Sequence, residues 1–134
     1  RQEDGRALKK VGRIVSVTLQ TMLDAAEPGI TTRELDMIGG RLLQGHGARS
    51  APQLTYGFPG FTYISINEEA AHGVPGDRII RMVITIEPFL STRCRTVTET
   101  SDGWTLAGAL GNLSAQYEHT LIITNGAPIV VTRC

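Results

Sequence analysis

Two glutamates in this sequence stand beside apolar segments, where a carboxylate is energetically unusual. Glu87 directly follows residues 83–86 and is followed by a proline, and Glu118 comes shortly before the apolar residues 121–123. A lone carboxylate in apolar surroundings costs free energy, so each one needs a hydrogen-bond partner or a metal ion. For Glu87, the pattern alone favours a hydrogen-bonded carboxylate at a strand end, and metal binding is the alternative.

Three histidines are the other side chains that could act as acids, bases or metal ligands. His72 lies in a loop that a glycine and a proline make tight, which is a common way to present one side chain rigidly. His119 directly follows Glu118, and neighbours on a strand point to opposite faces, so the two are not expected to form a metal-binding pair. For all three, including His46 between two glycines, an ordinary structural histidine is the default interpretation.

The composition is that of an ordinary globular domain. Of the 134 residues, 41% are hydrophobic and 19% are charged, with 13 basic residues balancing 13 acidic ones. That balance argues against a nucleic-acid-binding protein, and the lack of a long apolar run argues against a membrane span. No secretory leader opens the chain, and two cysteines, Cys94 and Cys134, are too few for a disulfide framework. We therefore expect a cytoplasmic protein, with Cys94 as a free thiol.

Two amphipathic helices are predicted at the start of the chain. Apolar residues recur at steps of three and four over residues 4–26, which is typical of a helix with one apolar face. A capping box from Thr31 to Glu34 begins the second helix, two adjacent glycines weaken it, and it ends near Gly45. Residues 50–60 carry two prolines and two glycines and are predicted to form an irregular loop.

The rest of the chain is predicted to form strands, because apolar runs alternate with turn residues. The turn dipeptides Asp102-Gly103 and Asn125-Gly126 predict two hairpins. The predicted strands cover residues 62–67, 83–86, 96–100, 104–106, 117–124 and 129–132. Helices followed by strands predict an α+β fold in a single domain, residues 1–134.

A set of short stretches, taken in order along the chain, carries a family resemblance. They are residues 12–13, 27–36, 56–60, 64–68, 71–75, 82–88, 102–105 and 113–120. Together these stretches resemble type I methionine aminopeptidases, over essentially the whole chain. The resemblance implies part of a pita-bread fold, in which two similar halves surround a metal site. It also implies hydrolytic removal of the initiator methionine from nascent polypeptides by a metal-activated water.

The resemblance assigns roles to six residues. Glu87 and Glu118 correspond to metal-binding glutamates, with Glu118 bridging two divalent ions, which could be Mn, Fe, Co or Zn. His72 corresponds to a catalytic histidine that hydrogen-bonds near the scissile amide. Phe58, Tyr63 and Trp104 fall where the family lines its methionine pocket, and an apolar pocket suits that unbranched side chain.

One departure from the family bears directly on activity. Near residues 78–82 the chain runs directly from the histidine loop into the strand that ends at Glu87. A segment of about 110 residues is missing there, judged against a family domain of roughly 250 residues. Three of the family's five metal ligands would lie in that segment. Glu87 and Glu118 alone offer too few oxygens for a dinuclear centre, so we expect weak metal binding at best.

This departure leaves more than one function open. The chain is either a methionine aminopeptidase whose central segment is not represented, or a non-catalytic relative that binds a nascent chain, a ribosomal surface or a partner protein. A peptidase of the same fold acting on X-Pro bonds is a less favoured third reading. Losing the segment would also expose strand edges, which a homodimer could cover. No nucleic acid or membrane is expected as a partner.

Overall fold

The computed structural model describes residues 2–93, 96–103 and 105–132. Three helices are followed by eight short strands, so the predicted α+β class is confirmed. The helices are α1 (Gln2–Ala25), α2 (Thr32–Gly45) and α3 (Ala51–Tyr56). The strands are β1 (Tyr63–Ile66), β2 (Val83–Glu87), β3 (Phe89–Ser91), β4 (Thr98–Glu99), β5 (Leu106–Ala107), β6 (Ser114–Gln116), β7 (His119–Ile122) and β8 (Ile129–Val130). The predictions for Cys94, Trp104 and Cys134 lie outside the described residues.

The two long helices form as the apolar spacing predicts. The stripe along α1 is buried, and the capping box of α2 is present, with Thr31 Oγ1 accepting from the Glu34 backbone N–H. The adjacent glycines of α2 have a packing reason, because a Cβ at Gly39 would overlap the Met22 side chain and one at Gly40 the Phe61 ring. These glycines weaken the helix locally, but they let it lie close to its neighbours.

The main sheet is antiparallel, with strand order β1-β2-β7-β8, and its two faces differ sharply. One face carries Ile64, Ile84, Ile86 and Leu121, all fully buried against the helices. Because side chains alternate along a strand, the residues between these point to the opposite face. That second face, which we call the open face, is less covered, and Ile122 and Ile129 are about half exposed there.

Two sequence-based predictions are wrong in detail. Residues 51–56, predicted as loop, form α3, because Ser50 caps its first turn and Gly57 ends it at φ 63°. The strand predicted over residues 117–124 covers only His119–Ile122. The preceding β6 pairs with β3 in the same register in which β7 pairs with β2, so the two pairs continue one antiparallel ladder that is interrupted at Pro88.

Both predicted hairpins are present. β4 pairs with β5 across a turn in which Asp102 Oδ1 accepts from the Thr105 backbone N–H at 2.7 Å. β7 pairs with β8 across the turn at Asn125 and Gly126. A further strand, β3, was not predicted. It follows Pro88 directly and continues the direction of β2 into the second sheet.

Candidate functional site

Strand register brings the two predicted glutamates to one row of the open face. Ile86 pairs with His119, and both are buried on the core face. Continued by one residue, the same register places Glu118 across from Glu87. On the other side of β2, Glu87 pairs with Tyr63. Tyr63, Glu87 and Glu118 therefore lie side by side on three neighbouring segments, with their side chains on the open face.

The direction of the pKa shift of Glu118 is consistent with its place across from Glu87. Burial raises the pKa of the Glu118 carboxyl above its ordinary value, and the negative charge of Glu87 raises it further. The positive form of His72 acts in the opposite direction and lowers the pKa of Glu118. His72 belongs to the same site because its ring contacts that of Tyr63, which pairs with Glu87. Glu87 also accepts a hydrogen bond from Gln116 Nε2 at 3.0 Å.

The loop that carries His72 is held against β1 by its backbone. The Ile64 N–H donates to the Gly73 carbonyl at 3.0 Å, and the Gly73 N–H donates to Ser65 Oγ at 3.1 Å. A Cβ at Gly73 would overlap the Ile64 carbonyl, so the loop can lie this close only with glycine there. His72 itself adopts φ 55°, a left-handed conformation that is uncommon outside glycine. The loop thus presents the imidazole in a defined position.

Aromatic rings continue the site from His72. The His72 and Tyr63 ring centroids are 4.4 Å apart, and the Phe58 ring meets Tyr63 edge-on at 4.7 Å. These three rings and Glu87 line a cavity of about 550 Å³. Its other walls include Phe89 from β3 and Leu106 from β5. The cavity has the size and the apolar, aromatic walls of a small-ligand site, and the carboxylates of Glu87 and Glu99 are in its lining.

The structure thus brings together five of the six residues singled out by resemblance: Phe58, Tyr63, His72, Glu87 and Glu118. The sixth, Trp104, lies outside the described residues. Sequence reasoning missed Phe89 and Gln116 as members of the site. Phe89 stands two residues after Glu87, and that spacing is the signal for a shared face. Gln116 stands two residues before Glu118, and the pairing of Phe89 with Gln116 brings it beside Glu87 on the same face.

His119 is separated from the glutamates, as the strand alternation predicts. It is 7% exposed, and its Nδ1 lies 2.8 Å from Thr132 Oγ1 on the core side of the sheet. His46 is exposed at the end of α2, far along the chain from the glutamates, and lines a different cleft. Neither histidine adds a ligand to Glu87 and Glu118.

The ligands for a metal ion are incomplete in the described part of the chain. Within residues 2–93, 96–103 and 105–132, no group of three or more His, Cys, Asp or Glu side chains is arranged to hold a metal ion. Glu87 and Glu118 would supply two ligand residues, whereas a divalent ion takes four to six ligands. The residues present therefore do not fit a complete divalent metal centre.

Comparison with known proteins agrees with this arrangement of helices, loop and strands. Residues 6–81, more than half of the chain, match metallopeptidase family M24. The chain belongs to this family. A stretch of 79 residues of this chain is 53% identical to a methionine aminopeptidase of Staphylococcus epidermidis, covering 59% of this chain and 32% of that protein. Methionine aminopeptidase 2 of Bacillus subtilis is 26% identical over 237 aligned positions, covering 94% of this chain and 95% of that protein.

Solved structures show the same fold for this M24 chain. A methionine aminopeptidase from Thermotoga maritima superposes with a TM-score of 0.68 at 21% identity, covering 93% of this chain and 51% of that one. A prolidase from Pyrococcus horikoshii gives a TM-score of 0.60, also at 21% identity, covering 93% and 31%. The fold is therefore part of the pita-bread architecture. The chain spans about half of the first structure and about a third of the second.

No helix among the described residues is both long and apolar enough to cross a membrane.

Proposed function

We propose that this M24 chain binds the amino-terminal residue of a polypeptide, as the recognition part of a methionine aminopeptidase activity. The observation that carries the proposal is the cavity in which aromatic rings and a carboxylate meet. Phe58 and Tyr63 offer an apolar slot for an unbranched first side chain. Glu87 in the cavity lining, with Glu118 across from it, offers negative charge for the peptide's ammonium group. Relatives named methionine aminopeptidase support this choice of peptide.

Each residue of the site has a proposed task. Gln116 fixes Glu87 through its 3.0 Å hydrogen bond, so that carboxylate is oriented before a peptide arrives. His72, stacked on Tyr63, is placed to hydrogen-bond the first peptide amide as a catalytic group. Trp104 is proposed as a further wall of the methionine pocket. Glu87 and Glu118 are proposed as the metal ligands that this chain supplies.

Cleavage requires more than these residues provide. Two carboxylates do not complete the coordination of a divalent ion, so further ligands must come from elsewhere. We propose that a central segment is missing near residues 78–82 of an otherwise single domain. The alignment with the Bacillus protein supports this, because it spans 237 positions while this chain has 134 residues, so more than 100 positions face no residue here. The M24 match also ends at residue 81.

Peptide mapping tests the missing segment directly. Mass spectrometry of a digest of the protein purified from its natural source should give a peptide in which residues 77–87 run without interruption if the segment is absent from the molecule. About 110 further residues between Ile80 and Val83 would contradict the deletion and would restore the missing ligands. In that case the enzyme is complete and cleavage of amino-terminal methionine is expected.

Peptide binding tests the recognition role separately from cleavage. Isothermal titration calorimetry should show that the peptide Met-Ala-Ser binds at least about tenfold more tightly than its N-acetylated form, because acetylation removes the ammonium charge. Tyr63→Ala should weaken binding, whereas Tyr117→Ala, an exposed aromatic outside the cavity, should not. Equal binding of the free and acetylated peptides would overturn the proposal.

A second candidate, a non-catalytic binding module, is favoured by the incomplete ligand set. It would hold a nascent chain, a ribosomal surface or a partner protein, in the cytoplasm and without metal. Incubation of Met-Ala-Ser with the chain and added Mn²⁺ or Co²⁺ separates the two candidates. Release of free methionine supports the enzyme. Partner binding that Glu87→Ala leaves unchanged, with no release of methionine, supports the module.

A further inference from the structure

A second cleft lies on the other side of β3 from the aromatic cavity. Its walls come from the first half of α1, the turn after α2, the start of α3 and the end of β3, and its volume is about 310 Å³. The two cavities adjoin at Ala51 and Ser91, which line both. Nothing in the proposed peptide recognition uses this cleft, so an inference about it stands independently of that proposal.

The charged residues of this cleft are all of one sign. Lys10, Arg49 and Arg93 line it from three separate parts of the chain, together with His46, and no carboxylate is among its lining residues. Arg93 Nη2 donates to Asp4 Oδ1 at 2.6 Å at the rim, which offsets part of its charge. Within residues 2–93, 96–103 and 105–132, Lys10 and Arg49 form no salt bridge. In a chain of zero net charge, this is a local excess of positive charge.

The floor of the cleft is apolar. Val11 and Ile14 from α1, Leu54 from α3 and Leu90 from β3 line it. Ile14 and Leu90 belong to the smaller of the two core clusters, so the floor is a fixed, packed surface. Leu54 is 36% exposed, which leaves apolar area available to a ligand. A cation-lined rim above an apolar floor matches a molecule with an anionic head and a short hydrocarbon stem.

We propose that this cleft binds a small organic anion, a carboxylate or phosphate group carried on a short aliphatic stem. Lys10 and Arg49 hold the anionic head, with Arg93 adding charge at the rim. The stem lies on Val11, Ile14 and Leu54. The volume of the cleft limits the ligand to a small molecule or a single side chain, because it lies at the lower end of the range for small-molecule sites.

Titration calorimetry with three probes tests the ligand class: hexyl phosphate, hexanoate and inorganic phosphate. Hexyl phosphate and hexanoate should both bind with saturation, and hexyl phosphate should bind at least about tenfold more tightly than inorganic phosphate, because only it has a stem. Equal affinity for hexyl phosphate and inorganic phosphate would contradict binding of the stem to the apolar floor. Absence of saturable hexyl phosphate binding would overturn the whole proposal.

Variants of the lining test the position of the site. Arg49→Gln and Lys10→Gln should each weaken hexyl phosphate binding about tenfold, since each removes one charge-assisted contact. Lys9→Gln is the matched control, because Lys9 is an exposed neighbour on α1 that does not line the cleft. An equal loss in the Lys9 variant would mean non-specific attraction and would overturn the assigned site. Circular dichroism of each variant checks that α1 and α3 remain folded.

Discussion

Asp36 and the pair of Glu87 and Glu118 show two opposite ways in which this chain places carboxylates. Asp36 is 4% exposed, and its oxygens accept from the backbone N–H groups of Phe61 and Thr62 and from Thr62 Oγ1. The glutamates instead face each other on the open face, with Gln116 as the donor to Glu87. The hydrogen bonds that Asp36 accepts therefore hold α2 to the start of β1, whereas the carboxylate oxygens of Glu87 and Glu118 remain able to bind a ligand. The number of hydrogen-bond donors around the carboxylate therefore distinguishes Asp36 from Glu87 and Glu118, which we propose to be functional.

The largest expected change in stability comes from removing the Asp36 carboxylate. Asp36→Ala leaves two buried backbone N–H groups and one hydroxyl without an acceptor, so the free energy of unfolding should fall by about 3 kcal/mol. Urea denaturation measures this. Asp77→Ala is the control, because Asp77 forms an exposed ion pair with Arg33 at 3.1 Å and its loss should change stability by less than about 0.5 kcal/mol. A similar small change in both variants would contradict the structural role of Asp36.

The next largest expected change in stability comes from a substitution in the loop that carries His72. Gly73→Ala places a Cβ against the Ile64 carbonyl, so the loop must move away from β1 at a cost of about 2 kcal/mol. His72 then loses its position on Tyr63, and binding of Met-Ala-Ser should weaken as well. Gly76→Ala is the matched control in the same loop, because nothing lies within 4 Å of its added Cβ. Equal peptide binding in the two variants would show that the loop position does not matter to the site.

The pH dependence of stability should have opposite signs at two carboxyls of α2. Burial raises the pKa of Asp36 in the folded state, so its contribution to stability is present below the unfolded pKa and is lost as the pH rises through the folded value. Hydrogen bonds from Thr31 lower the pKa of Glu34, so its contribution is present at neutral pH and is lost as the pH falls through the folded value. Carbon-13 NMR titration of both carboxyls should give a high midpoint for Asp36 and a low one for Glu34. The reverse order would contradict the effect of burial on Asp36 and the hydrogen bonds from Thr31 to Glu34.

The smallest expected effect on stability is at the glutamate pair. Glu118→Gln removes the repulsion between two like charges without removing a fold-stabilising partner. The free energy of unfolding should therefore stay unchanged or rise by up to about 0.5 kcal/mol. Peptide binding should weaken at the same time, because one negative charge facing the ammonium is lost. A loss of stability comparable to that of Asp36→Ala would mean that Glu118 is structural too.

Local sequence patterns were enough to predict the helices and the sheet face to which individual side chains point. The apolar stripe of α1, the capping box of α2 and the opposite orientation of Glu118 and His119 all depend on neighbours within about four residues. The turn dipeptides likewise predicted both hairpins. In each case the local preference and the final packing agree.

Features that depend on distant contacts were not predictable in the same way. The pairing of β2 with β7 and of β3 with β6 joins strands that are far apart in the chain, and no local signal marks which strands pair. The bond from Gln116 to Glu87 follows from that pairing. Asp36 gave no signal either, because its donors are about 25 residues further along the chain. The glycines of α2 looked unfavourable until the nearby Met22 and Phe61 side chains were placed.

The central claim is that Glu87 and Glu118 lie across from each other on the open face, beside His72. It is tested most directly by an NMR titration of the Glu118 carboxyl in the wild-type chain and in Glu87→Gln. The account predicts that the pKa of Glu118 falls in the variant, because the charge of Glu87 helps to raise it. In His72→Ala the pKa of Glu118 should rise instead. A Glu118 pKa that is the same in all three proteins would contradict the shared site.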